Sequence, residues 1–387
     1  MREALARHEG WDERGVVLAP GSNVLILGLC TAARTVLDTV PSFPYYRGGA
    51  EAAGTPWQGI PLGPEFELPT AALLEAMEGP PGVLFLPNPH APTGRLFEPT
   101  DVEMLARKAA EKDWLLVVDE AYQAFSGSDY RPLARRNPHV AVLRTFSKSW
   151  CLGGIRAGYL LAAPEVAAVA RACIPPFCLP AHTTAILLTV LESPGYVAPL
   201  VERVRAERER LRTALQEVTG WRVYPSSTNF LLVRTADAAQ VQAALLERGV
   251  LVRRQDRTPS MQGCLRITVG ARAENDARRR EARDGRPHDG SGRLGPPQVQ
   301  PRVRDLLARP EAVGVVAPVV GRSEVGNETR ALAQPHLLRR AREGGFEERE
   351  TALRRPRRAG EGRNVDGPVA VDHILRRSGH RPEDGPV

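Results

Sequence analysis

The strongest restriction on the fold comes from residues 15–161, where short, nearly continuous apolar runs alternate with amphipathic stretches. Continuous apolar runs of about 4–8 residues are typical of strands buried on both faces of a parallel sheet. Parallel strands need crossover connections, which amphipathic helices provide, so the alternation indicates βαβ units. We predict an α/β fold with a mainly parallel central sheet flanked by helices. Three predicted strands of this sheet are residues 83–86, 114–118 and 140–143.

The chain is long enough for two domains, and its character changes along its length. We predict a large domain over residues 1–190 and a smaller α+β domain over residues 191–276. From residue 277 onward Arg, Gly, Pro, Ala and Glu dominate. Such a segment buries too little apolar area to offset its ordering entropy, so we predict a disordered tail over residues 277–387. A tail that binds an acidic partner and the product of a shifted reading frame are the alternatives.

Composition argues against several classes of function. The whole formal net charge of +7 is carried by residues 278–387, so the body of the protein has no excess of basic residues for nucleic acid. We expect neither a leader nor a membrane segment, because no apolar run approaches the roughly 20 residues of a membrane span. The five cysteines lack the spacing of a disulfide framework or a metal site. We therefore predict a reduced, cytoplasmic protein without a bound metal.

Polar residues directly follow the three predicted strands. Asn88 begins a turn-rich segment after the first strand, Asp119 ends the second, and Lys148 follows the third. Because ligands of open α/β sheets bind at the carboxyl edge of the strands, these residues are candidates for one site. A buried Asp119 needs a positive partner, and a protonated pyridine nitrogen would provide it. For this residue taken alone, a helix cap or a structural ion pair is the commoner explanation.

Lys148 is one of only three lysines in a chain rich in arginine. Ser147 precedes it, and Arg156 follows on a glycine-rich stretch. Schiff-base chemistry needs a lysine that can lose its proton, and a phosphate-bearing cofactor needs hydroxyls, backbone amides and a guanidinium nearby. Arg266 lies inside an apolar strand, where its charge is costly unless it meets an anion. In combination these features favour a functional site over a set of unrelated surface residues.

At these motifs the chain resembles the fold-type-I aminotransferases, and most closely the histidinol-phosphate aminotransferases. The resemblance runs over residues 2–276 and is most specific over residues 253–270. It implies pyridoxal 5′-phosphate as cofactor, with Lys148 as its attachment point and as the group that shuttles a proton at the substrate α-carbon. Asp119 would keep the pyridine nitrogen protonated, and Tyr122 would hydrogen-bond the ring hydroxyl. The further cofactor contacts that the resemblance implies are Gly21, Ser22, Asn23, Phe43, Asn88, Ser147 and Arg156, and the substrate contacts are Arg253 and Arg266.

The implied reaction exchanges an amino group between histidinol phosphate and 2-oxoglutarate, or between imidazole-acetol phosphate and glutamate in the biosynthetic direction of the L-histidine pathway. One site must then accept a phosphate and a carboxylate, and the guanidinium forks of Arg253 and Arg266 accept either group. The family works as a homodimer, so we expect a homodimer. The alternatives are an aromatic-amino-acid aminotransferase, a decarboxylase of a phosphorylated amino acid, and an inactive relic of such an enzyme.

Three departures from the family pattern favour the inactive relic. Ala91 stands where much of the family has an asparagine that bonds the ring hydroxyl, so Tyr122 would carry that bond alone or with Asn88 or His90. The chain begins after the family's N-terminal arm, which carries a tyrosine that reaches the neighbouring subunit's ligand. A helix expected to begin near residue 274 gives way to the arginine-rich tail.

Overall fold

The computed structural model of the protein describes residues 1–193 and 195–284. Two β-sheets organise these residues. The strands of the first sheet are β1 (Val16–Ala19), β2 (Val36–Val40), β3 (Trp57–Pro61), β4 (Val83–Pro87), β5 (Leu115–Asp119), β6 (Val140–Thr145) and β7 (Gly158–Leu161). Those of the second sheet are β8 (Arg222–Val223), β9 (Phe230–Arg234), β10 (Arg253–Arg254) and β11 (Cys264–Thr268).

Helices connect the strands and flank both sheets. The first seven are α1 (Arg2–Glu9), α2 (Ser22–Ala32), α3 (Tyr45–Ala53), α4 (Thr70–Ala76), α5 (Pro99–Glu111), α6 (Arg131–Arg136) and α7 (Pro164–Ala172). They are followed by α8 (Ala181–Leu191), α9 (Val197–Gln216), α10 (Ala238–Glu247) and α11 (Arg272–Asp284). None of the helices in these described ranges combines the length and the apolar character that crossing a membrane requires.

The first sheet has the strand order β1-β7-β6-β5-β4-β2-β3. The five strands β2, β3, β4, β5 and β6 are parallel to one another. Strand β7 runs antiparallel to both of its neighbours, β1 and β6. This confirms the predicted α/β fold with a mainly parallel sheet. The parallel strands end at a common edge, so Pro87, Asp119 and Thr145 lie at the same side of the sheet.

The sheet is buried on both faces, which explains the nearly continuous apolar runs of the sequence. Leu84, Leu116 and Val142 belong to the core on one face, together with residues of α4, α5 and α6. Their neighbours in the strands point to the opposite face because side chains alternate along a strand, and there they pack with α2, α3 and α7. The central strands β4 and β6 are buried at every residue.

The second sheet is antiparallel, has the order β10-β11-β9-β8, and carries its own core. Leu211 and Leu215 of α9 and Leu245 of α10 pack there against Leu231 and Leu265. Trp221, Val223 and Val241 lie at its margin.

Helix α11 corrects the boundary that we predicted for the tail at residue 277. The helix continues to Asp284. Asn275 is fully buried and donates from Nδ2 to Glu207 Oε2 at 2.9 Å, and Ala282 is buried in the core of the second sheet. The tail was predicted to begin too early because the arginine-rich composition of this segment resembles that of a solvated one rather than a helix packed on the second sheet. The remainder of the predicted tail, residues 285–387, lies outside the described residues.

Candidate active site

A cavity of about 250 Å³ lies at the carboxyl edge of the parallel strands. Pro87, Asp119 and Thr145, at the ends of β4, β5 and β6, form part of its wall, and β10 and β11 of the second sheet supply two arginines. The predicted site residues that line the cavity are Ser22, Asn23, Phe43, Asp119, Tyr122, Ser147, Lys148, Arg156, Arg253 and Arg266. Gly21 and Asn88 are not among the lining residues.

Asp119 is a buried acceptor that faces the cavity. Its Oδ2 accepts a hydrogen bond from Tyr46 Oη at 2.7 Å, and its Oδ1 accepts one from the backbone N–H of Ala121 at 3.0 Å. Burial raises the pKa of Asp119, whereas the Tyr46 hydroxyl, the Ala121 amide and the charge of Lys148 lower it. The carboxylate is thus fixed in orientation and suited to a buried cation.

Tyr46 is a site residue that sequence reasoning missed. It lines the cavity together with Phe43, three residues before it in the segment Phe43-Pro44-Tyr45-Tyr46. Its ring is stacked on Phe85 with the centroids 4.9 Å apart. The signal available in the sequence was this closely spaced aromatic pair, with Phe43 just before the start of α3 and Tyr46 within it.

Lys148 lies in the turn that follows β6. Its Nζ is 5.3 Å from the centroid of the Tyr122 ring, and the turn is closed by a hydrogen bond from Cys151 N to Lys148 O at 3.0 Å. Among residues 1–193 and 195–284, no carboxylate forms an ion pair with this amine. The amine is therefore available for chemistry with a ligand in the cavity.

The part of the cavity wall formed by Ser22, Asn23 and Arg156 is suited to an anion. Helix α2 begins at Ser22, and no side chain caps its N-terminus. The guanidinium of Arg156 lies beside this helix start and donates to Gly153 O, with no acidic partner among the described residues. Free N–H groups at a helix N-terminus together with a guanidinium form a binding site for a phosphate.

Two glycines make that arrangement possible. Gly21 has φ +91°, and a Cβ there would lie 2.8 Å from Arg156 Nη2. A Cβ on Gly158 would lie 2.5 Å from Ser22 N. Gly21, which was predicted to contact the cofactor, is not a lining residue, and the absence of a side chain there leaves room for the guanidinium of Arg156.

Arg266 and Arg253 form the substrate side of the cavity. They are direct neighbours on β11 and β10, and the guanidinium carbon of Arg266 is 4.9 Å from the centroid of the Phe230 ring. Burial lowers the pKa of Arg266, and the like charge of Arg253 acts in the same direction. In the described part of the chain neither arginine has an ion-pair partner. Two adjacent unpaired guanidinium groups favour an anion between them.

Asn88, which was predicted to contact the cofactor, is not part of the cavity wall. Its side chain is fully buried, with Oδ1 accepting from Phe97 N at 2.9 Å and Nδ2 donating to Tyr130 Oη at 2.9 Å. His90 is also buried, between the hydroxyls of Thr93 and Thr39. Of the residues suggested to replace the missing asparagine at position 91, Tyr122 alone reaches the cavity.

A buried charge cluster supports the site from behind. Arg144 of β6 donates from Nη1 to Glu9 Oε2 at 2.7 Å and is paired through Nη2 with Glu120 Oε2 at 2.7 Å. Glu120 directly follows Asp119, and Arg144 stands shortly before Lys148. Despite the nearby guanidinium, burial raises the pKa of Glu120 to about 7. The cluster ties α1 to the two strands that carry the central site residues.

Arg144→Met is expected to lower the free energy of unfolding by about 3–5 kcal/mol, because Glu120 would remain buried without its cation and Glu9 would keep Arg131 but lose Arg144. Arg14→Met removes only an exposed pair with Asp12 and should cost less than about 1 kcal/mol. Urea denaturation of the two variants measures the difference. Equal losses would show that the cluster contributes no more than a surface pair.

Comparison with known proteins places this geometry among transaminases. The family described as aminotransferase class I and II matches residues 1–281. A histidinol-phosphate aminotransferase of Deinococcus radiodurans is 44% identical over 281 residues, which covers 72% of this chain and 78% of that protein. One from Methylibium petroleiphilum is 36% identical over 283 residues, with 71% and 76% covered.

Solved structures agree with these relatives. The histidinol-phosphate aminotransferase of Clostridium acetobutylicum superposes with a TM-score of 0.70 at 20% identity, covering 73% of this chain and 86% of that chain. The structure of the Sinorhizobium meliloti histidinol-phosphate aminotransferase in complex with pyridoxal-5′-phosphate gives a TM-score of 0.67 at 25% identity, covering 73% and 80%.

Proposed function

The chain belongs to the class I and II aminotransferases, and within them to the histidinol-phosphate aminotransferases; from this premise we propose how its own residues carry out the reaction. The enzyme is a pyridoxal-phosphate-dependent transaminase of L-histidine biosynthesis that interconverts histidinol phosphate and 2-oxoglutarate with imidazole-acetol phosphate and glutamate. The observation that carries the site assignment is the meeting of Lys148, Asp119, Arg156 and Arg266 in one cavity.

The residues of the cavity fit pyridoxal phosphate at each of its functional groups. The buried carboxylate of Asp119 suits the protonated ring nitrogen, and the unpaired amine of Lys148 suits the aldehyde. The uncapped start of α2 and the guanidinium of Arg156 suit the phosphate. Phe43 lines the cavity between these groups, where an aromatic ring can pack on the cofactor.

When bound, the cofactor supplies an electron sink for the negative charge that develops at the substrate α-carbon. Asp119 holds the proton on the ring nitrogen through its buried carboxylate. In one half of the exchange Lys148 Nζ takes the proton from the α-carbon of the amino substrate, and in the other half it delivers a proton to the α-carbon of the product. Tyr122 orients the ring through its hydroxyl. Ser22, Asn23, Ser147 and Arg156 bind the phosphate.

Arg266 and Arg253 bind the anionic end of each substrate. Histidinol phosphate has a phosphate and no carboxylate, whereas glutamate has two carboxylates. A guanidinium donates two parallel hydrogen bonds to either group, so the same pair can serve both halves of the exchange. The position of Arg266 over the Phe230 ring holds its guanidinium toward the cavity.

Arg266→Gln is expected to reduce kcat/KM about 10²–10³-fold for both histidinol phosphate and glutamate. The reason is that the largely buried guanidinium would no longer pair with the anionic group of the substrate. Arg253→Gln should cost about tenfold, since Arg253 is exposed. Arg254→Gln is the matched control: its guanidinium is paired with Asp256, and its activity should stay near wild type. Steady-state kinetics with each substrate measure these effects, and an unchanged kcat/KM in Arg266→Gln would contradict the assignment.

The proposed site is tested by an absorbance spectrum of the purified chain with added pyridoxal phosphate. A visible band that is lost when histidinol phosphate is added, and is restored by 2-oxoglutarate, supports both halves of the exchange. Aromatic amino acids that discharge the band faster would favour an aromatic aminotransferase, and release of CO₂ from phosphothreonine would favour a decarboxylase. A folded chain that binds no cofactor would be the inactive relic.

The assembly and location are also proposals. A homodimer is supported by apolar side chains at the surface, among them Ile186 of α8 and the fully exposed Phe177. Light scattering of the purified chain tests it. A cytoplasmic location is supported by the five cysteines, which are all free. A large domain over residues 1–190 and a small one over residues 191–276 are supported by the separate cores of the two sheets.

A further inference from the structure

The phenol of Tyr46 is held in place from three sides. The side chain is fully buried, its ring is parallel to Phe85 with an interplanar angle of 3°, and the edge of Phe43 meets it at 81° with the centroids 5.5 Å apart. Aromatic contacts of both kinds restrict rotation of the ring. The hydroxyl has one acceptor, Asp119 Oδ2 at 2.7 Å.

This hydrogen bond joins two elements that are distant in sequence. Tyr46 belongs to α3, and Asp119 ends β5. Among the described residues, the other oxygen of Asp119 is held only by the Ala121 amide of its own loop. Without Tyr46 the carboxylate could rotate about its side-chain torsions, so the hydroxyl is the contact that fixes the plane of the carboxylate relative to the cavity.

The hydroxyl also favours the charged form of Asp119. Burial raises the pKa of this carboxyl, and the Tyr46 hydrogen bond is first among the influences that lower it. Burial, reinforced by the charge of Asp119, raises the pKa of Tyr46 well above its ordinary value, so the phenol stays a neutral donor. The titratable groups that act on this pair are Lys148, Tyr122 and Asp38.

We propose that Tyr46 is a positioning residue of the transaminase: it orients the carboxylate of Asp119 toward the cofactor ring and keeps it ionised there. The proposal rests on the proposed function of Asp119. Tyr46 acts through Asp119 and takes no proton itself.

The test is Tyr46→Phe, which keeps the ring between Phe43 and Phe85 and removes the hydroxyl alone. We expect the dissociation constant of pyridoxal phosphate to rise about 10–100-fold, the size of a hydrogen bond to a charged group. We also expect the acid limb of the kcat profile to move to higher pH by about one unit, because Asp119 loses the donor that favours its ionised form. Cofactor titration and the pH profile are the two readouts.

Tyr45→Phe is the matched control. Tyr45 is the preceding residue, carries the same phenol and does not line the cavity, so both readouts should stay at wild-type values. A Tyr46→Phe enzyme with unchanged cofactor affinity, or with lower activity but an unmoved acid limb, would overturn the proposal, because a merely structural residue does not alter that limb. If Tyr46→Phe does not fold, Tyr46→His is used instead, because it retains a ring and a donor. The acid limb of its kcat profile must then lie at the same pH as in the wild type.

A double variant separates this proposal from the proposed function. If Tyr46 acts through Asp119, adding Tyr46→Phe to Asp119→Asn should change cofactor affinity less than twofold beyond Asp119→Asn alone. Additive losses would overturn the positioning role while leaving the transaminase intact. A wild-type chain that binds no cofactor would instead refute the proposed site as a whole.

Discussion

Lys148→Ala is expected to abolish transamination, with a loss of roughly 10⁴-fold or more in kcat. Within residues 1–193 and 195–284, Lys148 is the one lysine that lines the cavity, so its amine is the group that would attach the cofactor covalently and move the proton at the substrate α-carbon. Alanine removes both capacities at once. The absorbance band of lysine-bound cofactor should disappear as well, and single-turnover kinetics with histidinol phosphate measure the residual rate.

Another lysine, Lys112, provides the matched control. Lys112 forms an ion pair with Glu78 on the surface, so Lys112→Ala should retain the band and the activity. A free amine such as methylamine, added to Lys148→Ala, should restore part of the rate by supplying the missing base. If Lys148→Ala kept the visible band, the cofactor would have to be attached elsewhere, and the assignment of Lys148 would be wrong.

Asp119→Asn is expected to lower kcat roughly 10²–10³-fold, the size of the loss when one preorganised electrostatic contact to the reacting group is removed. Asparagine has the same shape but no charge, so nothing would hold a proton on the ring nitrogen and the ring would become a weaker electron sink. The affinity for pyridoxal phosphate should fall as well. Measurement of kcat and of the cofactor dissociation constant separates the two effects.

Asp38→Asn is the control for burial of a carboxyl. Asp38 is also buried, on strand β2 of the same sheet, where burial raises its pKa to about 8 and the Trp57 indole N–H donates to it at 3.0 Å. Because Asp38 is largely protonated at neutral pH, replacement by asparagine changes little. Equal losses in Asp38→Asn and Asp119→Asn would mean that burial rather than the cofactor contact explains the effect.

Much of the cavity was predictable because its residues directly follow strands. Asp119 directly follows the apolar run 115–118, and Lys148 comes shortly after the apolar run 140–143. Because the strands are parallel, both runs lead to the same edge of the sheet. Arg266 was conspicuous because a charge inside an apolar strand demands a partner. These signals are local, so a single sequence contains them.

The side-chain directions were not predictable. Asn88 also follows a strand, yet its amide turns into the protein to bond Phe97 and Tyr130, because those groups need partners where water is absent. Nothing in the sequence distinguishes this orientation from one that faces the cavity. The same limit applied to Gly21, where a side chain would meet the guanidinium of Arg156.

The sequence by itself determined the class of fold and the residues at the sheet edge, because apolar periodicity and the residues at strand ends are local properties of the chain. The family followed from the resemblance of its motifs. Only the tertiary structure decided the partnership of Tyr46 with Asp119, the cluster of Arg144 with Glu9 and Glu120, and the extent of α11. Each of these depends on a hydrogen bond or ion pair between segments far apart in the sequence. Such contacts exist only when packing removes water from both partners, so no pattern in either segment predicts them.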